Sequence, residues 1–134
     1  MAYKVFIDGK EGTTGLRITE RLSGRNDIQL LEIDEALRKS TVERKRLINE
    51  SDYTILCLPD EAAIESVSLC DNKKTKIIDA STAHRTNTSW AYGFPELSPE
   101  HRSAIKNSRR VSVPGCYASG FNALVYPLVK NKLI

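Results

Sequence analysis

Short apolar segments alternate with amphipathic or polar segments along the chain, and the two kinds predict different secondary structure. Segments rich in β-branched and aromatic residues, such as the one that begins at Tyr3, are typical of strands. Residues spaced to share one face, such as Leu16, Ile18, Thr19 and Leu22, predict helices. These patterns predict strands at residues 3–8, 28–33, 53–58, 76–79 and 110–113, helices at 14–22, 42–48, 60–69, 99–106 and from 116 onward, and an irregular stretch between 80 and 99.

The order of these elements predicts the class of fold. Strands that alternate with helices pair in parallel through right-handed crossovers. The segment 53–58 is almost wholly apolar, which is typical of a strand covered on both faces. The sequence contains no internal repeat and no low-complexity tract. It therefore predicts an α/β domain built on a doubly wound parallel sheet.

Length and composition narrow the class of protein further. The 134 residues suffice for one domain with a core and fall short of two full domains. No apolar run approaches the ~20 residues needed to cross a bilayer, and the N-terminus lacks the features of a signal peptide. Three cysteines without a C-x-x-C pair argue against a disulfide framework and against a zinc site. We therefore expect a cytoplasmic protein with no membrane segment and no metal.

The basic residues do not form a pattern typical of nucleic-acid binding. The formal net charge is only +3. The two short basic clusters, Arg44-Lys45-Arg46 and Arg109-Arg110, have no aromatic residues interleaved with them. We interpret both clusters as solvated helix faces. Nucleic acid is therefore not an expected partner.

A glycine-rich turn separates the first predicted strand from the first predicted helix. Gly9, Gly12 and Gly15 have the spacing G-x-x-G-x-x-G, with Thr13 and Thr14 between the last two. Such a turn lets backbone N–H groups at a helix start face a pyrophosphate, and the helix dipole favours the negative charge. An ordinary glycine-rich turn is the alternative interpretation. The position between strand and helix favours a Rossmann-like dinucleotide site.

Polar residues after the second strand bear on the choice between NAD and NADP. Glu32 and Asp34 are suited to accept hydrogen bonds from a ribose hydroxyl, as NAD requires. Arg38, Lys39 and Ser40 are suited to hold the 2′-phosphate of NADP. Ordinary surface polarity accounts for all five residues equally well, so the residues alone leave the choice open.

One cysteine stands in a context typical of a nucleophile. Cys116 follows the last predicted strand and a Pro114-Gly115 turn, and it begins the last helix. A helix N-terminus favours the thiolate, which is the reactive form of cysteine. A thiolate beside a nicotinamide can hold an acyl group as a thioester that accepts hydride. Cys57 within a strand and Cys70 at a helix end are interpreted as structural.

Several segments together resemble N-acetyl-γ-glutamyl-phosphate reductases, and the resemblance is closest to the shorter variety of that family. The related aspartate-semialdehyde dehydrogenases have a similar plan but match these segments less well. The matching segments cover nearly the whole chain and occur in the family's order: Phe6-Ile7-Asp8-Gly9, Gly12-Thr13-Thr14-Gly15-Leu16, Leu56-Cys57-Leu58-Pro59-Asp60, Asp79-Ala80-Ser81-Thr82-Ala83-His84-Arg85, Tyr92-Gly93-Phe94-Pro95-Glu96-Leu97 and Pro114-Gly115-Cys116-Tyr117-Ala118.

The resemblance implies an activity and a set of site residues. It implies reduction of N-acetyl-γ-glutamyl phosphate by NADPH in arginine biosynthesis, with Cys116 as the nucleophile that forms a thioester. Arg85 is the candidate for the substrate phosphate because a guanidinium suits that anion, and a structural salt bridge is its alternative. The resemblance implies NADP as the cofactor, held by Gly9, Gly12, Thr13, Thr14, Gly15, Arg38, Leu58, Pro59 and Ser81.

The family also has parts that this sequence does not match. Its members are considerably longer, and their catalytic histidine lies in a later domain that also builds an oligomer interface, which His84 and His101 do not match. We therefore expect a Rossmann-like NADP-binding domain at 1–115, a nucleophile helix that begins a second domain at 116–134, an exposed apolar surface, and a homo-oligomer at full length. A non-catalytic nucleotide-binding fragment and a related semialdehyde dehydrogenase are the alternatives.

Overall fold

The computed structural model describes residues 2–134, so Met1 lies outside the described part. Strands and helices alternate along the chain, and a 3₁₀ turn at Glu35–Leu37 follows the second strand. The strands are β1 (Tyr3–Asp8), β2 (Ile28–Leu31), β3 (Tyr53–Leu56), β4 (Lys76–Asp79), β5 (Ala91–Tyr92) and β6 (Arg110–Ser112), and the helices are α1 (Thr13–Ser23), α2 (Thr41–Glu50), α3 (Asp60–Ser68), α4 (Pro99–Asn107) and α5 (Cys116–Lys130).

The strands form one six-stranded sheet in the order β2-β1-β3-β4-β6-β5. Every neighbouring pair is parallel, which confirms the predicted doubly wound α/β sheet. The chain runs from β1 outward to β2 and then returns to the other side of β1, so the order reverses between β1 and β3. In such sheets, ligands bind beyond the carboxyl ends of the strands at that reversal. The glycine turn after β1 lies at this point.

The tightest core lies between the sheet and helices α2 and α3. Phe6 of β1 and Ile77 of β4 point to this face, and both are almost fully buried. Phe6 packs against Leu47 and Ile48 of α2. Ile77 packs with Leu56 and with Ala63 of α3. This apolar layer fixes the two helices whose N-terminal ends border the glycine turn.

The opposite face of the central strands is only partly covered by residues 2–134. Tyr53 and Ile55 of β3 and Ile78 of β4 are half-buried, and they line an open groove of about 280 Å³. The prediction that β3 is covered on both faces is therefore wrong for this part of the chain. The reason is that α1 packs over β1 and β2, beside the groove rather than across it.

One basic residue of helix α2 is buried, although the sequence predicted that its basic cluster is exposed to solvent. Arg44 is only 7% exposed, so the interpretation of Arg44-Lys45-Arg46 as a solvated face is wrong at its first position. Its guanidinium donates to the carboxylate of Asp8 from Nε at 3.2 Å and from Nη2 at 3.1 Å. It also donates to Glu65 at 3.0 Å and to the hydroxyl of Ser66. Arg44 thus joins α2 and α3 to the end of β1.

Three local predictions from the sequence are wrong. Strand β5 lies inside the stretch predicted to be irregular, where it pairs with β6 at the edge of the sheet. The segment 28–33 forms strand only to Leu31, and the carboxylate of Asp34 then caps the 3₁₀ turn by accepting from the amide of Ala36. Leu16 is 57% exposed, and Gly15 is the buried residue of α1.

Helix α5 exposes a series of large apolar side chains, as expected from the sequence. None of its residues is buried. It continues through Pro127 to Lys130, and its contacts with α4 include an edge-on pair of His101 with Tyr126. No helix within residues 2–134 is long and apolar enough to cross a membrane. The exposed large apolar side chains of α5 are Tyr117, Phe121, Leu124, Leu128 and Val129.

Candidate dinucleotide and thiol site

The turn from β1 to α1 requires glycine at two positions. Gly9 has φ +87°, a conformation that favours glycine, and a Cβ there would collide with the carbonyl oxygen of Cys57. A Cβ on Gly15 would lie 2.5 Å from the carbonyl oxygen of Gly9. The first turn of α1 therefore lies directly against the end of β1, as the spacing of the glycines predicts.

The N-terminus of α1 opens into a cavity. Gly12 is the N-cap residue and no side chain caps the helix, so the first backbone amides are open to a ligand. Thr13 and Thr14 are exposed beside them. The cavity has a volume of about 320 Å³ and is lined by Gly12, Thr13, Thr14, Cys57, Leu58 and Ala80. Open amides at a helix start, with glycine at the cap, fit the pyrophosphate of a dinucleotide.

A larger cavity of about 440 Å³ lies on the other side of Leu58. Lys10, Arg38 and Lys39 line it, and none of the three forms an ion pair with an acidic residue in the described part of the chain. The paired Arg44 and Asp8 form part of the same wall, whereas Glu32 and Asp34 do not line the cavity. Glu11 and Glu65 also line this cavity, and Glu65 is paired with Arg44, so within residues 2–134 the three basic side chains without ion pairs outnumber the one unpaired acidic side chain.

Two of the predicted cofactor residues, Pro59 and Ser81, line neither of the two cavities. Pro59 is the N-cap residue of α3, with φ −59° and ψ 157°. Ser81 follows β4 and is buried, and its hydroxyl donates to the carboxylate of Asp79 at 2.7 Å. The same hydroxyl accepts from the amide of Ala83 at 3.2 Å. Ala80, rather than Ser81, lines the cavity at α1.

A buried carboxylate organises the turn after β4. Asp79 is fully buried, and it accepts from the amide of Ser81 at 2.9 Å in addition to that residue's hydroxyl. Nδ1 of His84 lies 2.6 Å from the same carboxylate. The imidazole of His84 is stacked on Trp90, with ring centroids 4.1 Å apart and an angle of 16° between the planes. His84 therefore orders its turn.

The guanidinium of Arg85 is held by backbone carbonyl groups. Nε donates to the carbonyl of Val113 at 3.0 Å, and Nη2 donates to the carbonyl of Ala80 at 3.1 Å. Nη1 faces Gly115, where a Cβ would lie only 2.9 Å away. Arg85 forms no salt bridge within residues 2–134, which does not favour the alternative interpretation of this residue.

Cys116 is the first residue of α5 and is exposed. Gly115 is the N-cap residue, and no side chain caps this helix. The thiol is thus at an open helix N-terminus, next to the residue against which Arg85 lies. Because Ala80 both lines the cavity at α1 and accepts from Arg85, one residue connects this cavity with the arginine that lies against Gly115.

The other two cysteines differ in environment. Cys57 is half-buried in the wall of the cavity at α1. Burial, followed by the negative charges of Asp79 and Asp8, raises the pKa of the Cys57 thiol to about 11. Cys70 is half-buried against the core, and its thiol donates to the carbonyl of Asn72 at 3.6 Å. Only Cys116 among the three is exposed.

The structure also assigns places to residues that the sequence did not single out. Lys10 lines the larger cavity. Its position within the glycine turn was the feature of the sequence that could have indicated this role. Asp79 and Trp90 contact His84. No local sequence pattern predicts such contacts between the end of β4 and residues in the loop that follows it. Asp8 and Arg44 are 36 residues apart in sequence, so their pairing was equally hidden.

Fold and site together define a nicotinamide-dinucleotide-binding domain of the Rossmann type. The family model described as the semialdehyde dehydrogenase NAD-binding domain matches residues 4–105. The chain belongs to this family.

Curated relatives are much longer than this chain. N-acetyl-gamma-glutamyl-phosphate reductase 2 of Nostoc sp. is 52% identical over 131 residues, which cover 98% of this chain and 41% of the relative. The N-acetyl-gamma-glutamyl-phosphate reductase of Chelativorans sp. is 51% identical over 134 residues, which cover all of this chain and 43% of the relative. The chain thus spans about two fifths of the length of these relatives.

Solved structures of aspartate semialdehyde dehydrogenases have the same fold. The enzyme from Francisella tularensis superposes with a TM-score of 0.70 at 17% identity, over 98% of this chain and 42% of that one. The enzyme from Candida albicans, solved with NADP, gives a TM-score of 0.69 at 15% identity, over 98% of this chain and 48% of that one. At such identities the likeness concerns the fold alone.

Proposed function

We propose that the complete gene product that contains this chain reduces N-acetyl-γ-glutamyl phosphate to N-acetylglutamate semialdehyde and phosphate, with NADPH as the reductant, in arginine biosynthesis. The single observation that carries this proposal is the position of Cys116. It is an exposed thiol at the uncapped N-terminus of α5, beside an arginine that is bonded to the wall of the dinucleotide cavity. The identity of the substrate is inferred from the reductases that are about half identical to this chain.

The thiolate of Cys116 would begin the reaction. It attacks the carbonyl carbon of the acyl phosphate, the bond from that carbon to the phosphate oxygen breaks, and phosphate leaves with the bonding electron pair. The product on the protein is a thioester. The nicotinamide supplies a hydride to the thioester carbonyl when it is bound. The resulting thiohemiacetal expels the thiolate of Cys116 and releases the aldehyde, so the thiol returns to its starting state.

Arg85 would bind the phosphoryl group of the substrate. Its Nε and Nη2 are already engaged with the carbonyls of Val113 and Ala80, which fixes the plane of the guanidinium. Nη1 is left on the side of Gly115, the residue that precedes Cys116. A fixed cation there stabilises both the bound acyl phosphate and the phosphate that leaves, and the open amides of α5 add to it.

We infer NADP rather than NAD as the cofactor. Lys10, Arg38 and Lys39 line the cavity that follows β2, whereas the carboxylate of Asp34 is used to cap the 3₁₀ turn. Titration of this chain, followed by nicotinamide fluorescence, should therefore give tighter binding of NADPH than of NADH. Arg38→Ala should weaken NADPH binding about tenfold and leave NADH binding nearly unchanged, because it removes a charge-assisted bond to the 2′-phosphate.

Arg102→Ala is the matched control for this titration, because Arg102 is an exposed arginine on α4 outside both cavities. It should bind both cofactors like the unchanged chain. A preference for NADH in the unchanged chain would contradict the choice of NADP, and an equal loss for both cofactors in Arg38→Ala would contradict the role of Arg38.

The substrate is tested in the reverse direction with the complete gene product. We expect phosphate-dependent reduction of NADP⁺ with N-acetylglutamate semialdehyde and about a hundredfold lower kcat/KM with aspartate semialdehyde, because a site built to bond a polar group rejects a substrate that leaves its donors unpaired. The reverse preference would identify a different semialdehyde dehydrogenase. Saturable NADPH binding without turnover of either aldehyde would identify a non-catalytic nucleotide-binding protein.

A further inference from the structure

His84 is buried beside the proposed phosphate site, and the reaction described above gives it no role. It is 8% exposed, and Nδ1 lies 2.6 Å from the fully buried carboxylate of Asp79. Its ring is stacked on Trp90. Both contacts fix the imidazole and therefore the backbone at residue 84. The next residue in the chain is Arg85.

The turn that presents Arg85 is fixed at three points. Asp79 holds Ser81 through its amide and its hydroxyl, and it holds His84 through Nδ1. Asp60, at the start of α3, accepts from the amide of Thr82 at 2.8 Å and also from its hydroxyl. These bonds lower the pKa of Asp60, with the Thr82 hydroxyl as the largest cause. Of these contacts, the one between His84 and Asp79 lies closest in sequence to Arg85.

The position of the Arg85 side chain depends on this turn because Arg85 donates hydrogen bonds to backbone carbonyl groups of the turn. Nη2 donates to the carbonyl of Ala80, and the amide of Arg85 donates to the carbonyl of Thr82 at 3.4 Å. Only the bond from Nε goes to a different segment of the chain, because Val113 follows β6. If residue 84 moves, the guanidinium loses the geometry that keeps Nη1 at Gly115.

We propose that His84 is a positioning residue for the phosphate site, which it controls through Arg85 by its bond to Asp79 and its stacking on Trp90. This proposal rests on the function proposed above, in that it takes the Arg85 side of Cys116 as the place of the substrate's phosphoryl group. It assigns His84 no contact with the substrate. The imidazole sets the place of the neighbouring guanidinium.

The test uses inorganic phosphate and the thiol of Cys116 in this chain, without turnover. Phosphate bound between Arg85 and the N-terminus of α5 should slow alkylation of Cys116 by iodoacetamide, measured by peptide mapping. His84→Phe keeps an aromatic ring for Trp90 but removes the donor to Asp79. It should raise the half-protecting phosphate concentration about tenfold. His84→Asn restores a donor near the position of Nδ1 and should recover most of the protection.

His101→Phe is the matched control, because His101 is the other histidine of the chain and contacts Tyr126 on α5 instead of the turn at 80–85. It should leave phosphate protection unchanged. The affinity for NADPH should also stay within about twofold in His84→Phe, because the glycine turn is untouched. Alkylation of half-buried Cys70 reports unfolding in the same maps. If His84→Phe unfolds by this criterion, Trp90→Leu takes its place, with a smaller loss of protection in the same direction.

Two results would overturn the proposal. One is unchanged phosphate protection in folded His84→Phe or in Trp90→Leu while Arg85→Ala loses it. The other is a loss in His84→Asn as large as in His84→Phe. Failure of the proposed function has a different signature, which is absence of turnover with N-acetylglutamate semialdehyde in the complete gene product even though phosphate protects Cys116 in this chain.

Discussion

Cys116→Ser should reduce phosphate-dependent reduction of NADP⁺ by the complete gene product by about three orders of magnitude or more, with NADPH binding within about twofold of the unchanged protein. The hydroxyl of serine is far less acidic than a thiol, so it supplies almost no anionic nucleophile at neutral pH. The substitution changes one atom on an exposed residue, so the fold should be unaffected. Initial rates and a fluorescence titration measure the two quantities separately.

Cys70→Ser is the control for this prediction, because Cys70 lies against the core, away from both cavities. It should retain the turnover of the unchanged protein. Normal turnover in Cys116→Ser would place the nucleophile elsewhere and would contradict the proposed reaction. Loss of turnover together with loss of NADPH binding would show that the substitution acts on the cofactor site instead.

Arg44→Ala should lower the free energy of unfolding of this chain by about 3–5 kcal/mol, the range for breaking a buried ion pair on one side. Arg44 is 7% exposed and Asp8 is 4% exposed, so removal of the guanidinium leaves a buried carboxylate whose remaining side-chain partner within residues 2–134 is the hydroxyl of Ser66. Burial lowers the pKa of Arg44, but the hydrogen bonds and charges of Asp8 and then of Glu65 together outweigh burial and raise this pKa, so the guanidinium stays charged through the neutral range. Urea-induced unfolding measures the change.

Arg46→Ala is the comparison two residues along the same helix. Arg46 is 54% exposed in its side chain and pairs with Glu43 and Glu50 at the surface, where solvent screens the charges. The substitution should leave the unfolding midpoint almost unchanged. Equal effects of the two substitutions would show that the bond from Arg44 to Asp8 contributes no more than a surface pair.

The parts of the fold that follow local rules could be predicted from the sequence. Strands β1 and β4 have the predicted bounds because each is a short apolar run stopped by a polar residue and a turn. The glycine turn was predictable because only glycine permits the close approach of α1 to the end of β1. The start of α5 at Cys116 followed from the turn before it. Each of these features depends on neighbours in sequence.

The features that were missed depend on contacts between distant residues. Strand β5 has two residues, and it exists because β6 pairs with it 20 residues later. In the sequence, Arg44 is one of three consecutive basic residues, which is typical of a surface cluster. Only the fold brings Asp8, 36 residues away, into contact with it. Leu16 was grouped by its spacing with other residues on one face of α1, but it is 57% exposed, and Gly15 is the residue of α1 that is buried against the turn. Periodicity alone contains none of this information.

The most direct test of the proposed reaction is a single measurement on the complete gene product without phosphate. N-acetylglutamate semialdehyde and NADP⁺ should then give a burst of NADPH stoichiometric with the Cys116 thiol, because the thioester forms and has no phosphate to release it. Mass spectrometry should find the N-acetylglutamyl group on the peptide that contains Cys116, and addition of phosphate should start steady turnover. Steady turnover without phosphate, or an acyl group on Cys57 or Cys70 in place of Cys116, would contradict the proposed reaction.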